Sequence, residues 1–487
     1  MSSNRKYSKK VEYGDFQTPV NLAMQVCQWL KTKGVSPDVI VEPTCGVGAF
    51  LTASIVTFPD VSLILGMEIN QPYIEVMRQM PLFQYNERIV IQQADFFRTD
   101  WNELSATIQG KVAVIGNFPW VTNTQLSKMN GQNLPAKSNF SGSSGIDAIT
   151  GKSNFDISEW MLLNTIAWLG KRRGTLAMLC KSAVARKILG SIQQQKITVS
   201  SAAMVMIDAK YYFGASVSAC LLYCNFDGVS PLNELNEYAH FADETPRCLS
   251  IQKGEFIQKG EHQELLGTVA ENQQSWRSGV KHDCQAVMEL TQTSLGLING
   301  LGEYITIEDE RLYPLLKSTD ISKGLIHTTN RVVIVTQYTV GEDTVLIEKS
   351  FPLTWQYLIR HRDRLNNRQS RIYHGRAPFS IFGVGGYTFA PWKIAISALH
   401  KSLGFQLVGP VNGKPVVFDD TVYFLSFDTK ADAETTLRLL QSENVQQYLQ
   451  QIIFWDDKRP IKASILNRIP LSHDEKNEII PSFSHIS

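Results

Sequence analysis

Short apolar runs recur along the first 230 residues, and most of them end in a polar or glycine-containing stretch. Runs of this kind are typical of strands that are buried on both faces of a parallel sheet. They lie at residues 39–41, 62–67, 89–91, 112–115 and 174–180, and a late antiparallel pair is expected at 203–208 and 218–225. Helical patterns cover residues 20–30 and 157–169. The alternation predicts an α/β domain with helices on both faces of its sheet.

The first helical pattern is preceded by Thr18-Pro19. This pair predicts a helix start, with Thr18 as the capping residue and Pro19 at the first helical position. A helix N-terminus capped in this way can hold a carboxylate.

A glycine turn follows the first strand, in the order Glu42, Pro43, Thr44, Cys45, Gly46, Val47 and Gly48. Glycines let the backbone approach a ligand closely and adopt positive φ. The Gly46-x-Gly48 spacing is shorter than that of the dinucleotide fingerprint, and the lysine of a phosphate-binding loop is missing. Neither NAD nor ATP is therefore favoured. Glu42 can accept a hydrogen bond from an amine, which a pyrophosphate ligand does not offer.

Acidic residues stand at the ends of three successive strands: Glu42, Glu68 and Asp95. Glu68, followed by Ile69, lies about 20 residues beyond the glycine turn, where doubly wound folds place an acid that binds ribose hydroxyls. Asp95 can accept from an exocyclic amino group, and the neighbouring Phe96 can cover a purine face. Because the carboxyl ends of parallel strands share one edge of the sheet, these residues predict a ligand pocket at that edge.

The fourth strand ends in the tip Asn117-Phe118-Pro119-Trp120. An amide oxygen that accepts from an amino group, beside a ring that stacks, is a receptor for a planar base. A polar loop over residues 127–153 follows and is expected to close over a ligand. Beyond it, Asp156 is a candidate helix cap or pocket residue, and Lys181 a candidate pocket residue.

Length and composition limit the class of protein. A chain of 487 residues is expected to form several domains, here 1–230, a linker or peripheral subdomain at 231–275, and 276–487. The formal net charge of +1 means that any nucleic-acid contact depends on local basic patches. The seven cysteines have no paired spacing, and no signal peptide or bilayer-length apolar run is present, which indicates a cytoplasmic protein. His282, Asp283 and Cys284 are adjacent, which is not metal-ligand spacing, so no metal is expected.

The second half carries a one-sided basic stretch. Its arginines are Arg360, Arg362, Arg364, Arg368, Arg371 and Arg376, and only Asp363 opposes them. This density predicts contact with phosphates, with some arginines free to read guanine edges.

Taken in order, these motifs resemble the gamma class of adenine-N6 DNA methyltransferases. The Thr18-Pro19 element comes first, then the acid-Pro-x-Cys-Gly-x-Gly-x-Phe turn that begins at Glu42, and then Glu68 and the Asp95-Phe96 pair. The tip at residues 117–120 is similar to the family's catalytic Asn-Pro-Pro-aromatic motif. The resemblance spans residues 14 to about 226, and a looser one, over 313–321 and 459–462, covers the family's target-recognition domain.

The resemblance implies a class I methyltransferase fold that methylates a flipped adenine in duplex DNA. It assigns S-adenosyl-L-methionine binding to Thr18, Pro19, Glu42, Pro43, Cys45, Gly46, Gly48, Glu68, Ile69, Asp95, Phe96 and Asn117. It assigns catalysis to the tip of residues 117–120, and Phe213 is chosen as an aromatic of the flipped-base pocket. Phe118 stands where the family usually has proline. Since the family uses the backbone carbonyl there, activity is expected to survive, with Pro119 and neighbouring packing holding the loop.

Several alternatives remain open. Cytosine N4 is also an exocyclic amine, so a cytosine-N4 DNA methyltransferase is the nearest rival, and RNA or protein methyltransferases share a similar tip. A DNA-binding subunit that only senses the cofactor is a non-catalytic alternative. The expected setting is a restriction–modification or related defence system, with a cytoplasmic, nucleoid-associated monomer and a separately encoded endonuclease.

Overall fold

The computed structural model describes residues 17–120, 156–252, 255–258, 275–469 and 471. The chain divides into two compact units, Met1–Lys259 and Gly260–Ser487. The loop predicted at residues 127–153 lies outside the described residues. Within the described ranges, no helix combines the length and the apolar character that crossing a membrane requires.

The first unit alternates strands and helices, as the apolar runs predict. In chain order its elements are α1 Val20–Thr32, β1 Val39–Glu42, α2 Ala49–Thr57, β2 Leu63–Glu68, α3 Gln71–Arg78, α4 Pro81–Gln84, β3 Ile89–Gln93, α5 Trp101–Thr107, β4 Val112–Asn117, α6 Ile157–Leu169, β5 Gly174–Lys181, α7 Ser182–Gln194, β6 Ser201–Ile207, α8 Ala209–Phe213, β7 Ala219–Phe226, β8 Glu234–Tyr238, β9 Arg247–Gln252 and β10 Glu255–Gln258.

The strands of this unit form one sheet in the order β3-β2-β1-β4-β5-β7-β6-β8-β9-β10. Strand β1 pairs in parallel with β2 and β4, β2 pairs in parallel with β3, and β4 pairs in parallel with β5. Strand β7 runs antiparallel to both β5 and β6, so the predicted late antiparallel pair is present. The carboxyl ends of β1 to β5 therefore lie along one edge of the sheet.

Helices cover both faces of this sheet. Leu22 of α1 and Leu51 of α2 belong to one buried cluster with Ile115 of β4. Helices α6 and α7 contact β5, and their buried Leu162 and Leu189 lie outside that cluster, on the opposite face. The predicted α/β fold with helices on both faces is confirmed.

The second unit mixes short helices with mainly antiparallel strands. In chain order its elements are β11 Arg277–Ser278, α9 Gln285–Met288, β12 Glu289–Thr293, β13 Gly296–Asn299, β14 Tyr304–Ile305, β15 Leu312–Leu316, α10 Ser318–Lys323, β16 Arg331–Ile334, α11 Leu346–Ser350, α12 Pro352–Arg360, α13 Arg362–Asn366, β17 Trp392–Ser397, β18 Gln406–Val408, β19 Val417–Phe418, β20 Val422–Phe427, α14 Lys430–Leu440, α15 Glu443–Ile452 and α16 Ala463–Leu466. One sheet has the order β11-β20-β17-β18 and the other β14-β13-β12-β16-β15-β19. This is the mixed α+β second domain that the sequence predicts.

The boundary between the units differs from the predicted domain division. Strand β8 pairs in parallel with β6, and β9 and β10 continue the same sheet. Leu235 of β8 and Leu249 of β9 are buried. The described part of residues 231–275 is therefore an extension of the first sheet, and the first unit runs to Lys259 rather than ending at residue 230.

Candidate active site

Four neighbouring strands bring the predicted site residues to one edge of the first sheet. Strands β4, β1, β2 and β3 are adjacent in that order. Asn117, Glu42 and Glu68 are the last residues of β4, β1 and β2, and Asp95 lies two residues beyond β3. Residues that are far apart in sequence thus share the edge where open parallel sheets bind ligands.

The glycine turn between β1 and α2 is held in a left-handed conformation at two positions. Gly46 has φ of 54° and Gly48, which caps α2, has φ of 84°. A side chain at Gly48 would meet the Phe83 ring at 2.8 Å. Glycine is therefore required here for both backbone conformation and space.

Glu68 anchors this turn. Its Oε2 accepts a hydrogen bond from the Gly46 N–H at 2.8 Å, and its Oε1 accepts one from the Asn70 N–H at 2.8 Å. The side chain is 8% exposed. A carboxylate held by two backbone donors has a fixed orientation, and its remaining lone pairs can accept from ligand hydroxyls.

Glu42 is the most deeply buried acid of the site, with 3% exposure. Its Oε2 has no hydrogen-bond partner among the residues that the structure describes. Burial raises the pKa of this carboxyl well above its usual range, a backbone hydrogen bond from Leu51 opposes the rise, and the nearby Glu68 charge adds to it. A buried acceptor without a donor carries a desolvation cost that a ligand amine would remove.

Asp95 and Phe96 occupy the end of β3 in different ways. The Asp95 Oδ1 accepts from the Phe97 N–H at 2.9 Å, and its Oδ2 lies 3.5 Å from the Arg98 Nε. The Phe96 ring is buried and contacts the Phe118 ring edge-on, with centroids 5.3 Å apart. Each Asp95 carboxylate oxygen thus has one partner close in sequence, whereas Phe96 packs against the tip of residues 117–120.

The tip is tied to two segments that precede it by many residues. The Asn117 Nδ2 donates to the Thr18 Oγ1 at 3.3 Å, and the Thr44 Oγ1 donates to the Asn117 backbone carbonyl at 3.1 Å. Gln17 reaches the glycine turn, where its Oε1 accepts from the Val47 N–H at 3.1 Å. Residues 17 and 18 thus link the glycine turn to Asn117.

The prediction that Thr18 caps α1 and that Pro19 is its first helical residue was wrong. The helix begins at Val20, and Pro19 occupies the cap position with extended backbone, φ −63° and ψ 139°. No side chain caps the helix there. The Thr18 hydroxyl is engaged by Asn117 instead, so this residue contributes to the site through the tip and not through the helix end.

Sequence reasoning missed Gln17 and Thr44 as site residues. Thr44 lies between Pro43 and Cys45 in the glycine turn, so its position near the expected ligand pocket could have been inferred from the sequence. Its contact with the tip spans 73 positions and is made only when β1 and β4 pair, which no local spacing reveals.

Aromatic rings surround the rest of the tip. Phe118 is 1% exposed, and Trp120 is 4% exposed, with its ring in edge contact with Phe213 at 5.1 Å. The structure therefore brings together the two aromatics predicted for base binding. The Trp120 side chain is almost fully covered.

The arginine stretch of the second unit divides into exposed and buried members. Arg360, Arg362, Arg364 and Arg376 are exposed, and the side chain of Arg371 lies outside the described residues. Arg368 is buried, and it donates to the backbone carbonyls of Leu365, His282 and Ser380. Its guanidinium also stacks on a tyrosine ring 3.6 Å away.

The prediction that Arg368 contacts DNA is therefore not supported by this structure. Its guanidinium donates to the Leu365 and Ser380 carbonyls, which would otherwise be buried without donors.

The described residues contain no group of three or more histidine, cysteine or acidic side chains placed to hold a metal ion.

The fold and the site together define a class. The sheet order β3-β2-β1-β4-β5-β7-β6 with β7 antiparallel, together with acids at the ends of β1 and β2, is that of a class I methyltransferase. No family model matches the chain. The chain is 44% identical over 474 residues to the type II methyltransferase M.NspV of Nostoc sp. (strain ATCC 29411 / PCC 7524), a match that covers 95% of this chain and 97% of that protein. The chain belongs to the type II methyltransferases.

A solved structure supports the fold. The chain is similar to the type IIL restriction–modification enzyme MmeI, solved in complex with DNA, with a TM-score of 0.52 and 10% identity. The match covers 95% of this chain and 65% of the MmeI chain. The predicted family, a methyltransferase of restriction–modification type, is confirmed by the 44% identity to M.NspV, and the MmeI structure supports its fold.

Proposed function

We propose that this enzyme transfers a methyl group from S-adenosylmethionine to N6 of an adenine that has been rotated out of duplex DNA. The observation that carries the proposal is the position of Asn117. Its amide lies at the end of β4, next in the sheet to the Glu42 end of β1, with the Glu68 end of β2 beyond it. An amide that recognises an exocyclic amine thus adjoins the proposed cofactor residues.

The residues at the strand ends fit the cofactor. Glu42 offers a buried carboxylate oxygen to the amino group, Glu68 offers lone pairs to the ribose hydroxyls, and Asp95 offers an acceptor to the adenine amine. S-adenosylmethionine supplies an electrophilic methyl group on a positively charged sulfur. The contribution of the protein is to bind, orient and exclude water around the two reactants.

Asn117 and Phe118 supply the acceptors for the target amine. The lone pair of an exocyclic amine is delocalised into the ring, which makes the nitrogen a poor nucleophile. The Asn117 Oδ1 and the Phe118 carbonyl each accept one N6 hydrogen, which favours a pyramidal nitrogen. Because positive charge builds on nitrogen during transfer, both acceptors bind the transition state more strongly than the ground state.

The phenylalanine at position 118 is compatible with this role. Its ring is buried against Phe96, so side-chain packing fixes the backbone where the family usually has a proline ring. The carbonyl that the proposed chemistry needs is present in either residue.

Trp120 is proposed to stack on the extruded base. Extrusion costs a few kcal/mol, and stacking of a base on an aromatic ring contributes about 1–3 kcal/mol. The two quantities are comparable, so stacking offsets much of the cost. Since Trp120 is 4% exposed, this role requires its ring to be uncovered when DNA binds.

Cytosine N4 is the competing target, because it is also an exocyclic amine. Asn117 favours adenine over cytosine, since N4 enzymes usually carry serine or aspartate at this position. The exposed arginines of the second unit are proposed to contact DNA phosphates. The enzyme is proposed to act as a monomer, as the modification partner of a separate endonuclease.

Replacing Asn117 tests the proposed role of the tip. We expect Asn117→Ala to reduce methyl transfer by about 10²-fold or more, because it removes one transition-state acceptor. Cofactor affinity, measured by calorimetry, is expected to stay close to that of the wild type. Asn102→Ala, at an exposed position on α5, is the matched control and retains full activity. Loss of cofactor binding in Asn117→Ala would show that Asn117 has a different role.

A further inference from the structure

Lys181 contacts the catalytic tip from the neighbouring strand. It is the last residue of β5, which pairs in parallel with β4 up to Asn117. The Lys181 Nζ donates a hydrogen bond to the Trp120 backbone carbonyl at 3.1 Å. The tip is therefore bound at its far end by a cationic side chain from an adjacent strand.

Asp156 fixes the other side of this lysine. The Lys181 Nζ lies 2.6 Å from the Asp156 Oδ2, and the two side chains are 22% and 9% exposed. The Asp156 Oδ1 caps α6 by accepting from the N–H and the hydroxyl of Ser158, at 3.0 and 2.6 Å. Since both carboxylate oxygens are engaged, the lysine is held against a rigid helix end.

The two ends of the tip are thus pinned by different residues. At the first end the Asn117 carbonyl accepts from Thr44, and at the last end the Trp120 carbonyl accepts from Lys181. Between them lies Phe118, whose carbonyl is one of the two proposed acceptors of the target amine. A displacement of about 1 Å at such acceptors costs about 10²-fold in rate.

We infer that Lys181, held by Asp156, is a positioning residue for methyl transfer, which sets the orientation of the tip through the Trp120 carbonyl. This inference rests on the proposed function of the tip. Among the described residues, the Lys181 Nζ hydrogen-bonds to the Trp120 carbonyl and to Asp156, and not to the proposed acceptor atoms. Its effect is therefore expected in the rate of transfer and not in cofactor affinity.

The test compares Lys181→Met, Lys181→Arg and Asp156→Asn in the full-length protein. The readouts are the single-turnover rate of label transfer to DNA and the Kd for S-adenosylmethionine by calorimetry. We expect Lys181→Met to lower the rate by about 10- to 100-fold, with a Kd within about threefold of wild type. Lys181→Arg, which retains a charged donor, is expected to restore most of the rate. Lys171→Met, at an exposed position, is the matched control.

The double variant gives a sharper criterion. Because Asp156 acts through Lys181, adding Asp156→Asn to Lys181→Met is expected to lower the rate little further. Additive losses, or equal losses of rate and cofactor affinity, would overturn the inference in favour of a merely structural ion pair. If Lys181→Met does not fold, the rate of Asp156→Asn tests the inference instead. A wild-type rate of methyl transfer in Asp156→Asn would overturn the positioning role of Lys181.

Failure of the proposed function is distinguishable from failure of this inference. The label-transfer assay measures methylation of any DNA base, so N4-methylcytosine in the product would refute the adenine assignment while the Lys181 comparison still stands. A wild-type rate in Lys181→Met would refute the positioning role while leaving the adenine assignment intact.

Discussion

At the scale of single residues, hydrogen bonding distinguishes two buried acids that stand at the same edge of the sheet. Glu68 is engaged by the backbone N–H groups of Gly46 and Asn70, which stabilise its charge. Glu42 is buried without a donor to its Oε2 among the described residues, and its pKa is raised. Neighbouring carboxyl groups in different environments take different roles. Glu68 anchors the glycine turn, and Glu42 is proposed to accept from an amine of the cofactor.

Cofactor binding is expected to release a proton from Glu42. Its raised pKa keeps the carboxyl protonated to a higher pH in the free protein, and a bound amino group favours the ionised form. Binding of S-adenosylmethionine should therefore tighten as pH rises towards that pKa. Calorimetry in buffers of different ionisation enthalpy measures the proton directly. Glu42→Gln should lose the buffer dependence, and a wild-type enthalpy that is identical in all buffers would contradict the account.

Lys393 is expected to make the second unit more stable at alkaline pH. It is 1% exposed, donates to the Ala390 carbonyl, and burial lowers its pKa from 10.5 to about 7. Between these values the unfolded chain binds a proton that the folded chain does not, so stability rises with pH, by at most about 1.4 kcal/mol per unit. Urea unfolding at pH 7.5 and 9 should show this rise in wild type and a smaller one in Lys393→Met. Equal pH dependence in both proteins would refute the assignment.

Residue roles were predictable where a local pattern carried them. Glu42, Glu68 and Asp95 follow apolar runs, so their positions at strand ends could be inferred from the sequence. The contact between Thr18 and Asn117 could not, since it joins segments that are 99 positions apart. The burial of Arg368 was equally invisible, because a basic stretch does not show which side chains turn inward to satisfy carbonyls.

At the scale of elements, the exposed arginines of α12 and α13 are proposed to bind DNA phosphates. Replacing one of them is expected to weaken DNA binding without affecting folding. Each arginine that binds a phosphate contributes about 0.9 to the slope of log affinity against log salt. Arg362→Gln is therefore expected to weaken DNA binding across all sequences and to reduce that slope by about one. Fluorescence anisotropy over a sodium chloride series measures both quantities. Arg438→Gln, an exposed change on α14, is the control and should leave the slope unchanged.

Arg368→Gln is expected to behave differently from Arg362→Gln. It should lower the free energy of unfolding, because the Leu365 and Ser380 carbonyls lose their donor. A DNA-binding defect in a variant of unchanged stability would show instead that Arg368 reaches DNA.

The prediction of elements succeeded for strands that are buried on both faces and failed for the extension of the sheet. Strands β1 and β4 are continuous apolar runs, which a sequence reveals directly. Strand β8, which lies between β6 and β9, alternates exposed and buried residues within a polar stretch, since a strand with one solvated face needs apolar residues only on the other. Its composition therefore indicated a linker or peripheral subdomain, although Leu235 is buried and Tyr238 belongs to the buried cluster of the first unit.

At the scale of the whole molecule, the two units divide the proposed work. The first carries the strand-end acids and the tip, and the second carries the exposed arginines. With a net charge of +1, the protein has no long-range attraction for DNA beyond such local surfaces. Family membership identifies the protein as a type II methyltransferase, so the choice of adenine N6 is the central claim that requires a direct measurement.

That measurement is incubation of the purified protein with labelled S-adenosylmethionine and unmethylated genomic DNA, followed by nucleoside mass spectrometry and modification-sensitive sequencing. We expect N6-methyladenine at one short sequence and none with Asn117→Ala. N4-methylcytosine in place of N6-methyladenine, or label in RNA or protein but not in DNA, would contradict it.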